Sequence, residues 1–324
     1  MISAAFIVGP SRSGTSVLAE ALDKHKKVTA TEEFHFYNLL QPAVAGSERE
    51  SQILYAQLMA IQYEKRFFEI KNGEEVDPRR VAGEDALSGT GAVLPSFFGK
   101  LARDENAQLV VEQTPMNLYY IDEILQDFPQ AAFVLMKRDP RAILASQSSR
   151  WMVGSHGRRH HPQRDLRRYR SAGHPFIQLL LLRKTMQVAR EVENAPYVHV
   201  VIYEDLVREP PTVLANLCNF LGLDYDPAMV QVSDRGSSHA SESGRRGFDA
   251  SRLDSWREKL TPTEIWLAER FFQSHLTQPR TGARPQIGDL AKLALTFPRD
   301  AIFSLYYSVK SYGSILDAFR RRFL

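Results

Sequence analysis

Apolar and polar positions along this chain fall into blocks that predict strands and helices in turn. Residues 4–8 are an unbroken apolar run, the pattern of a strand buried on both faces. Val17, Leu18, Ala21 and Leu22 then recur at helical spacing and predict a helix over 16–25. The same two patterns repeat downstream. Further strands are predicted over 27–30, 109–112, 132–136 and 198–202. Helices are predicted over 50–70, from Ile53, Leu54, Leu58 and Ile61, then over 119–128 and 176–193, the last most buried at 179–182. The polar stretch 72–80 between them reads as a loop. Pro210 and Pro211 suit the first turn of a helix that closes near Gly222. Thr261-Pro262-Thr263-Glu264 has the capping-box spacing and starts a helix reaching about His275. Strands alternating with helices imply an α/β fold, a central parallel sheet flanked by helices in three layers.

Length and charge narrow the picture. The chain has 324 residues, 44% of them hydrophobic, enough for one large domain. That domain is expected over 1–280, with 281–324 as a C-terminal amphipathic helical extension. In the extension Ile302, Leu305, Tyr306, Val309, Tyr312, Leu316, Phe319 and Phe323 recur at helical spacing beside Arg320-Arg321-Arg322. Two readings of it stay open. It packs on the domain or on a second copy of the chain, or it is an interfacial helix, basic at one end, on a membrane. A net charge of +3 calls for no nucleic-acid partner. Cys218 is the single cysteine, so no internal disulfide forms and a reducing compartment is expected. No run of 18 uncharged apolar residues occurs, and with the first strand close to Met1 no signal peptide is expected. A cytoplasmic location follows as an expectation, with membrane association through the C-terminal helix as its variant.

Between the first strand and its helix lies Gly9-Pro10-Ser11-Arg12-Ser13-Gly14-Thr15-Ser16. Strand, glycine loop and helix make a phosphate cradle, in which backbone N–H groups and the helix N-terminus meet the anion. The spacing matches the nucleotide loop G-x-x-x-x-G-K-[ST], but Thr15 stands where the lysine belongs and Arg12 is the loop's cation. A second cationic segment, Lys137-Arg138-Asp139-Pro140-Arg141, follows the strand-like run 133–136, with Ser146 eight residues after Arg138 and Arg150 beyond.

At these residues the chain resembles the sulfotransferases that use 3′-phosphoadenylyl sulfate (PAPS). That family has a 5′-phosphosulfate loop like 9–16, a strand leading into R-D-x-R-A with a serine at the Ser146 spacing, and a segment like Tyr203-Glu204-Asp205-Leu206. Arg150 matches a further arginine of the protein-tyrosine sulfotransferase branch. The resemblance spans roughly 4–275. It implies the P-loop-like fold, PAPS as co-substrate, 3′,5′-adenosine bisphosphate as product, and no required metal.

The resemblance also assigns roles. Arg12 and the amides of Ser13, Gly14, Thr15 and Ser16 would hold the leaving phosphate. Arg138, Ser146 and Arg150 would hold the 3′-phosphate, since the guanidinium fork binds phosphate bidentately. Gly244-Arg245-Arg246-Gly247, with Trp256 following, resembles the loop that closes over the same phosphate, so Arg245, Arg246 and Gly247 are candidates. Tyr203 would pack near the adenine. In Thr31-Glu32-Glu33-Phe34-His35, Glu33 matches the family's base, with His35 as the second candidate. One departure stands out. Where the family often reads Glu-Lys-[Thr/Asp]-Pro, this chain reads Glu112-Gln113-Thr114-Pro115, so Gln113 replaces a lysine that assists the leaving group.

The stretch 150–170 holds seven Arg and three His (His156, His160, His161) against one acid, Asp165, a basic loop facing an anionic acceptor or solvent. Acceptor specificity is expected in loops over 36–105 and 150–175. Glycan, lipid-linked sugar, small metabolite and protein tyrosine remain open. The alternatives to a sulfotransferase are a P-loop nucleotide kinase and a non-catalytic nucleotide binder of the same fold.

Overall fold

The computed structural model describes residues 3–43, 46–65, 67–71, 75–77, 89–148, 173–233 and 248–312. Five strands, β1 (Ser3–Val8), β2 (Val28–Ala30), β3 (Leu109–Glu112), β4 (Ala132–Lys137) and β5 (Val198–Ile202), pair in parallel in the order β2-β3-β1-β4-β5. β1 is central, with Ala5 level with Val111 on one side and Ala132 on the other. From β1 the chain runs outward to β2 at one edge, and from β4 to β5 at the other. The winding therefore reverses between β1 and β4. In open parallel sheets ligands bind in the crevice at such a reversal, beyond the carboxyl ends of the strands.

The helices are α1 (Thr15–Asp23), α2 (Glu48–Glu64), α3 (Phe67–Lys71), α4 (Val93–Asp104), α5 (Ile121–Asp127), α6 (Pro140–Ser148), α7 (Pro175–Val192), α8 (Tyr203–Arg208), α9 (Pro210–Phe220), α10 (Trp256–Lys259), α11 (Pro262–Phe271) and α12 (Ile287–Tyr312). Alternation along β1 sorts them into layers. Ala5 and Ile7 pack with Leu18 and Leu22 of α1 and Leu214 and Leu217 of α9. Phe6 and Val8 point the other way, onto α2 and α4. Phe6 is fully buried, stacks on Phe98 and Phe133 with ring centroids 5.9 and 5.7 Å apart, and meets the edge of Phe128. A side chain buried this way contributes about 1.5–3 kcal/mol relative to exposure. A third cluster joins α6, α7 and α11 around Trp256.

The strands lie where the apolar runs predict them. The helices depart in instructive ways. Lys65 takes a left-handed conformation (φ 59°), which ends α2 and divides the predicted 50–70 helix in two. Along α7, Leu179 and Leu182 are buried but Leu180 is 37% exposed, because the helix packs on one side only. Within 36–105, where acceptor loops are expected around the 50–70 helix, the chain also forms α4, which packs beside α2 on one face of the sheet. The capping box at Thr261 forms with both reciprocal bonds, but its helix closes at Phe271 and a short separate turn covers 273–275. Among the described residues no helix is long and apolar enough to cross a membrane.

Candidate active site

The loop after β1 is shaped by its glycines. Gly9 has φ 141°, and a Cβ there would stand 2.5 Å from the Met136 carbonyl oxygen of β4. Gly14 has φ 102°, and a Cβ there would run into the Tyr203 ring. Between them Arg12 is left-handed (φ 76°), and the Ser13 amide donates to the Pro10 carbonyl at 3.1 Å, closing a turn. This corrects one expectation: the Ser13 amide serves the loop itself. The first bond of α1 runs from Leu18 to the Gly14 carbonyl, so the amides of Gly14, Thr15 and Ser16 form the open N-terminus of the helix. Ser13 keeps its hydroxyl buried without a hydrogen-bond partner.

β4 brings the second cation to this loop. The Arg138 guanidinium donates to the Arg12 carbonyl at 3.0 Å and lies over the Tyr203 ring, 4.1 Å from its centroid. Its Nε is buried with no partner. Arg12 in turn donates Nε to the Ser146 hydroxyl of α6 at 3.0 Å, and Gln147 donates to the Ser11 carbonyl at 3.3 Å. Arg12, Arg138, Ser146 and Tyr203, read as candidates from three separate segments, thus converge beyond the ends of β1, β4 and β5. Arg150, Arg245, Arg246 and Gly247 lie outside the described residues, as do His156, His160 and His161.

The loop after β2 carries Glu33 and His35. His35 approaches Glu33 with Nε2 2.9 Å from Oε1, places Nδ1 3.2 Å from the Asn38 side-chain oxygen, and stacks on Phe67. The Glu33 side chain is 42% exposed. Glu32 has a different task. Its carboxylate pairs with Lys65 and its amide donates to Gln62 at 2.9 Å, fixing the loop onto α2.

The end of β3 joins the two corners. Thr114 accepts the His35 amide at 3.2 Å, and the next residue, Pro115, accepts the Gly9 amide at 3.3 Å. Beneath them lies Glu112, which accepts from the Thr114 amide at 3.0 Å, from the Thr114 hydroxyl and from the Asn117 side chain. Burial pushes its carboxyl up to about 7, against the pull of the Thr114 bonds and with a further push from Glu33. Gln113, at the lysine position of the family pattern, is half-buried with its side-chain oxygen unpartnered. Lys137, the cation at the end of β4, is paired with Glu193.

Sequence reasoning missed the supports. Arg141 is fully buried, forms ion pairs with Asp139 and Glu269, lies over Trp256 at 4.3 Å, and donates to the carbonyls of Gln278 and Pro279. Glu204 accepts the Asp139 amide at 3.0 Å, and burial raises its carboxyl. Both stand inside motifs quoted for other residues, and charge within a strand-end motif was the available signal.

A family model described as "Sulfotransferase family" matches residues 4–227. The chain belongs to the sulfotransferase family. Nodulation protein NoeE of Sinorhizobium fredii (strain NBRC 101917 / NGR234) is 24% identical over 277 residues, covering 80% of this chain and 61% of that protein. Carbohydrate sulfotransferase 2 of Mus musculus is 30% identical over 128 residues, covering 36% of this chain and 24% of that protein. The chain thus spans less than two thirds of the length of either relative. Among solved structures, the sulfotransferase domain of the Synechococcus PCC 7002 olefin synthase is similar at 23% identity, with 84% of this chain and 94% of that one covered and a TM-score of 0.49.

Proposed function

We propose that this sulfotransferase-family chain moves a sulfuryl group from PAPS to a hydroxyl or amine of a glycan, lipid-linked sugar or small metabolite. The observation that carries the reading is the buried, unpartnered Nε of Arg138 beside the left-handed Arg12 loop, where the winding of the sheet reverses. A buried donor without a partner costs about 1–3 kcal/mol, and a phosphate oxygen would relieve it. The residues present fit the nucleotide: two arginines, the Ser146 hydroxyl, the open amides of Gly14 to Ser16, and glycines where a Cβ would obstruct.

In the reaction the acceptor oxygen or nitrogen forms a bond to sulfur as the bond from sulfur to the 5′-phosphate oxygen breaks. The bonding pair stays on that phosphate oxygen, giving 3′,5′-adenosine bisphosphate. Arg12 and the loop amides stabilise the charge that develops there. The acceptor proton passes to the half-exposed carboxylate of Glu33, while His35 holds its Oε1. Arg138 and Ser146 hold the 3′-phosphate, and Tyr203 backs the Arg138 fork. Thr15 at the lysine position of the kinase loop favours this donor over ATP.

The test is thermal stabilisation by 3′,5′-adenosine bisphosphate beside 5′-AMP and ATP with Mg²⁺, on wild type and Arg138→Ala. A ligand at 100 times its Kd adds about 2.7 kcal/mol. A shift specific to the bisphosphate and lost in the variant is expected. No shift, or an equal one with ATP, overturns the reading. Turnover of PAPS with a panel of acceptors then separates an enzyme from a non-catalytic binder.

A further inference from the structure

The last described helix, α12, docks on the domain through a mixed polar and apolar face that includes Leu293, and turns an apolar stripe to water. Toward the domain it presents Thr296, within 3.0 Å of His174 Nε2, with buried Asp300 and Ser304, and Phe297 against the His174 and Phe176 rings. Outward it presents Ile287, Leu295, Ile302 and Tyr306, which are 86%, 81%, 69% and 60% exposed. With Ala291 and Pro298 these recur every three or four residues, so they form one stripe along the helix. A helix docked on a globular domain in water carries polar residues at such outward positions.

Charge on α12 selects the occupant. Lys292 and Arg299, both exposed and two turns apart, flank the stripe on one edge. Arg299 donates to Asp300 while its side chain stays 60% exposed. The two acids among residues 287–306 are both engaged on the inner side, Asp289 by Thr263 and Asp300 by Arg299. A second copy docked by a twofold axis would set one cationic edge of α12 against the other with no acid of that helix between them. An anionic lipid surface meets both features at once, the acyl boundary taking the stripe and the headgroup phosphates taking the cations.

We propose that this face of α12 lies in the interface of an anionic lipid bilayer. The surface is independent of the nucleotide site, and its test reads binding alone. The full chain is floated with vesicles of phosphatidylcholine and with vesicles of phosphatidylcholine and phosphatidylglycerol. Binding to the anionic vesicles only, released by raised salt, is expected. Leu295→Glu with Ile302→Glu should abolish it without changing the melting temperature, since both positions are exposed. Lys292→Ala should weaken it about fivefold, the share of one cation near an anionic surface. If the double variant melts early, Lys292→Ala and the salt series decide. The proposal is overturned by no flotation of wild type, by equal flotation on neutral vesicles, or by a wild-type dimer in light scattering that the double variant splits.

Discussion

The Arg138 guanidinium donates to the carbonyl oxygen of Arg12 at 3.0 Å, so the cation after β4 holds the backbone of the cation after β1. Arg12 itself is left-handed, a conformation that costs a non-glycine residue roughly 1 kcal/mol. The two arginines are therefore one device: one supplies shape and charge to the loop, the other keeps it in shape.

Arg138→Ala removes a charged donor and the clamp together. Affinity for 3′,5′-adenosine bisphosphate should fall roughly 10- to 100-fold, the equivalent of about 1.5–3 kcal/mol for hydrogen bonds to a charged group. Arg138→Lys should recover little of it, because an ammonium cannot bridge a phosphate and the Arg12 carbonyl as a fork does. Calorimetric titration of both variants measures this.

Arg12→Ala should act on rate. Loss of a donor aimed at the developing charge lowers kcat about 10²- to 10³-fold. Initial rates at saturating donor and acceptor give the value, and a change confined to KM would place Arg12 outside the transition state.

Gly14→Ala should disable the nucleotide corner with the sheet intact. The added methyl meets the Tyr203 ring, and φ 102° remains strained for any side chain. A stability loss of about 1–3 kcal/mol and loss of nucleotide-induced stabilisation are expected. Adding Tyr203→Ala relieves the clash but not the strain, so recovery in urea melts should be partial.

Glu112 makes stability depend on pH. Its folded carboxyl is raised to about 7 from 4.5, so between these values the folded state holds the extra proton. Stability from this group is full below about pH 4.5 and falls as pH rises toward 7, by about 3 kcal/mol in all. Glu112→Gln should flatten that part of the curve. The difference between wild-type and variant melting temperatures at pH 5 and pH 7 isolates it from the other titrating groups.

Arg141→Met should be the most damaging single change here. It leaves Asp139 and Glu269 as buried acids without their cation, a loss of about 3–5 kcal/mol. Urea denaturation reads it, and removal of all three charges together should be far milder.

The strands and the two arginines that follow β1 and β4 were legible because their signals are local. An apolar run between turn residues has few readings, and a glycine loop between strand and helix has fewer. Glu33, His35 and Tyr203 could be named from motif position, but their partners could not. Thr114 meets His35 across 79 residues and Arg12 meets Ser146 across 134, and periodicity carries no trace of such pairs. The role of Glu112 was hidden for a related reason. A carboxylate at a strand end reads as catalytic or surface charge until burial is known. α4 was missed although it packs on a face of the sheet, since only loops are expected there beside the 50–70 helix.

The corner that gathers Arg12, Arg138 and Tyr203 is stitched from three strand ends that are far apart in the chain, so no fragment short of the assembled sheet contains it. Occupancy of that corner and cooperative unfolding of the sheet are thus a single linked equilibrium. Hydrogen-exchange protection gained on adding 3′,5′-adenosine bisphosphate should spread through β1, β4 and β5 and reach buried amides of Phe6 and Val134, well away from any atom the ligand touches.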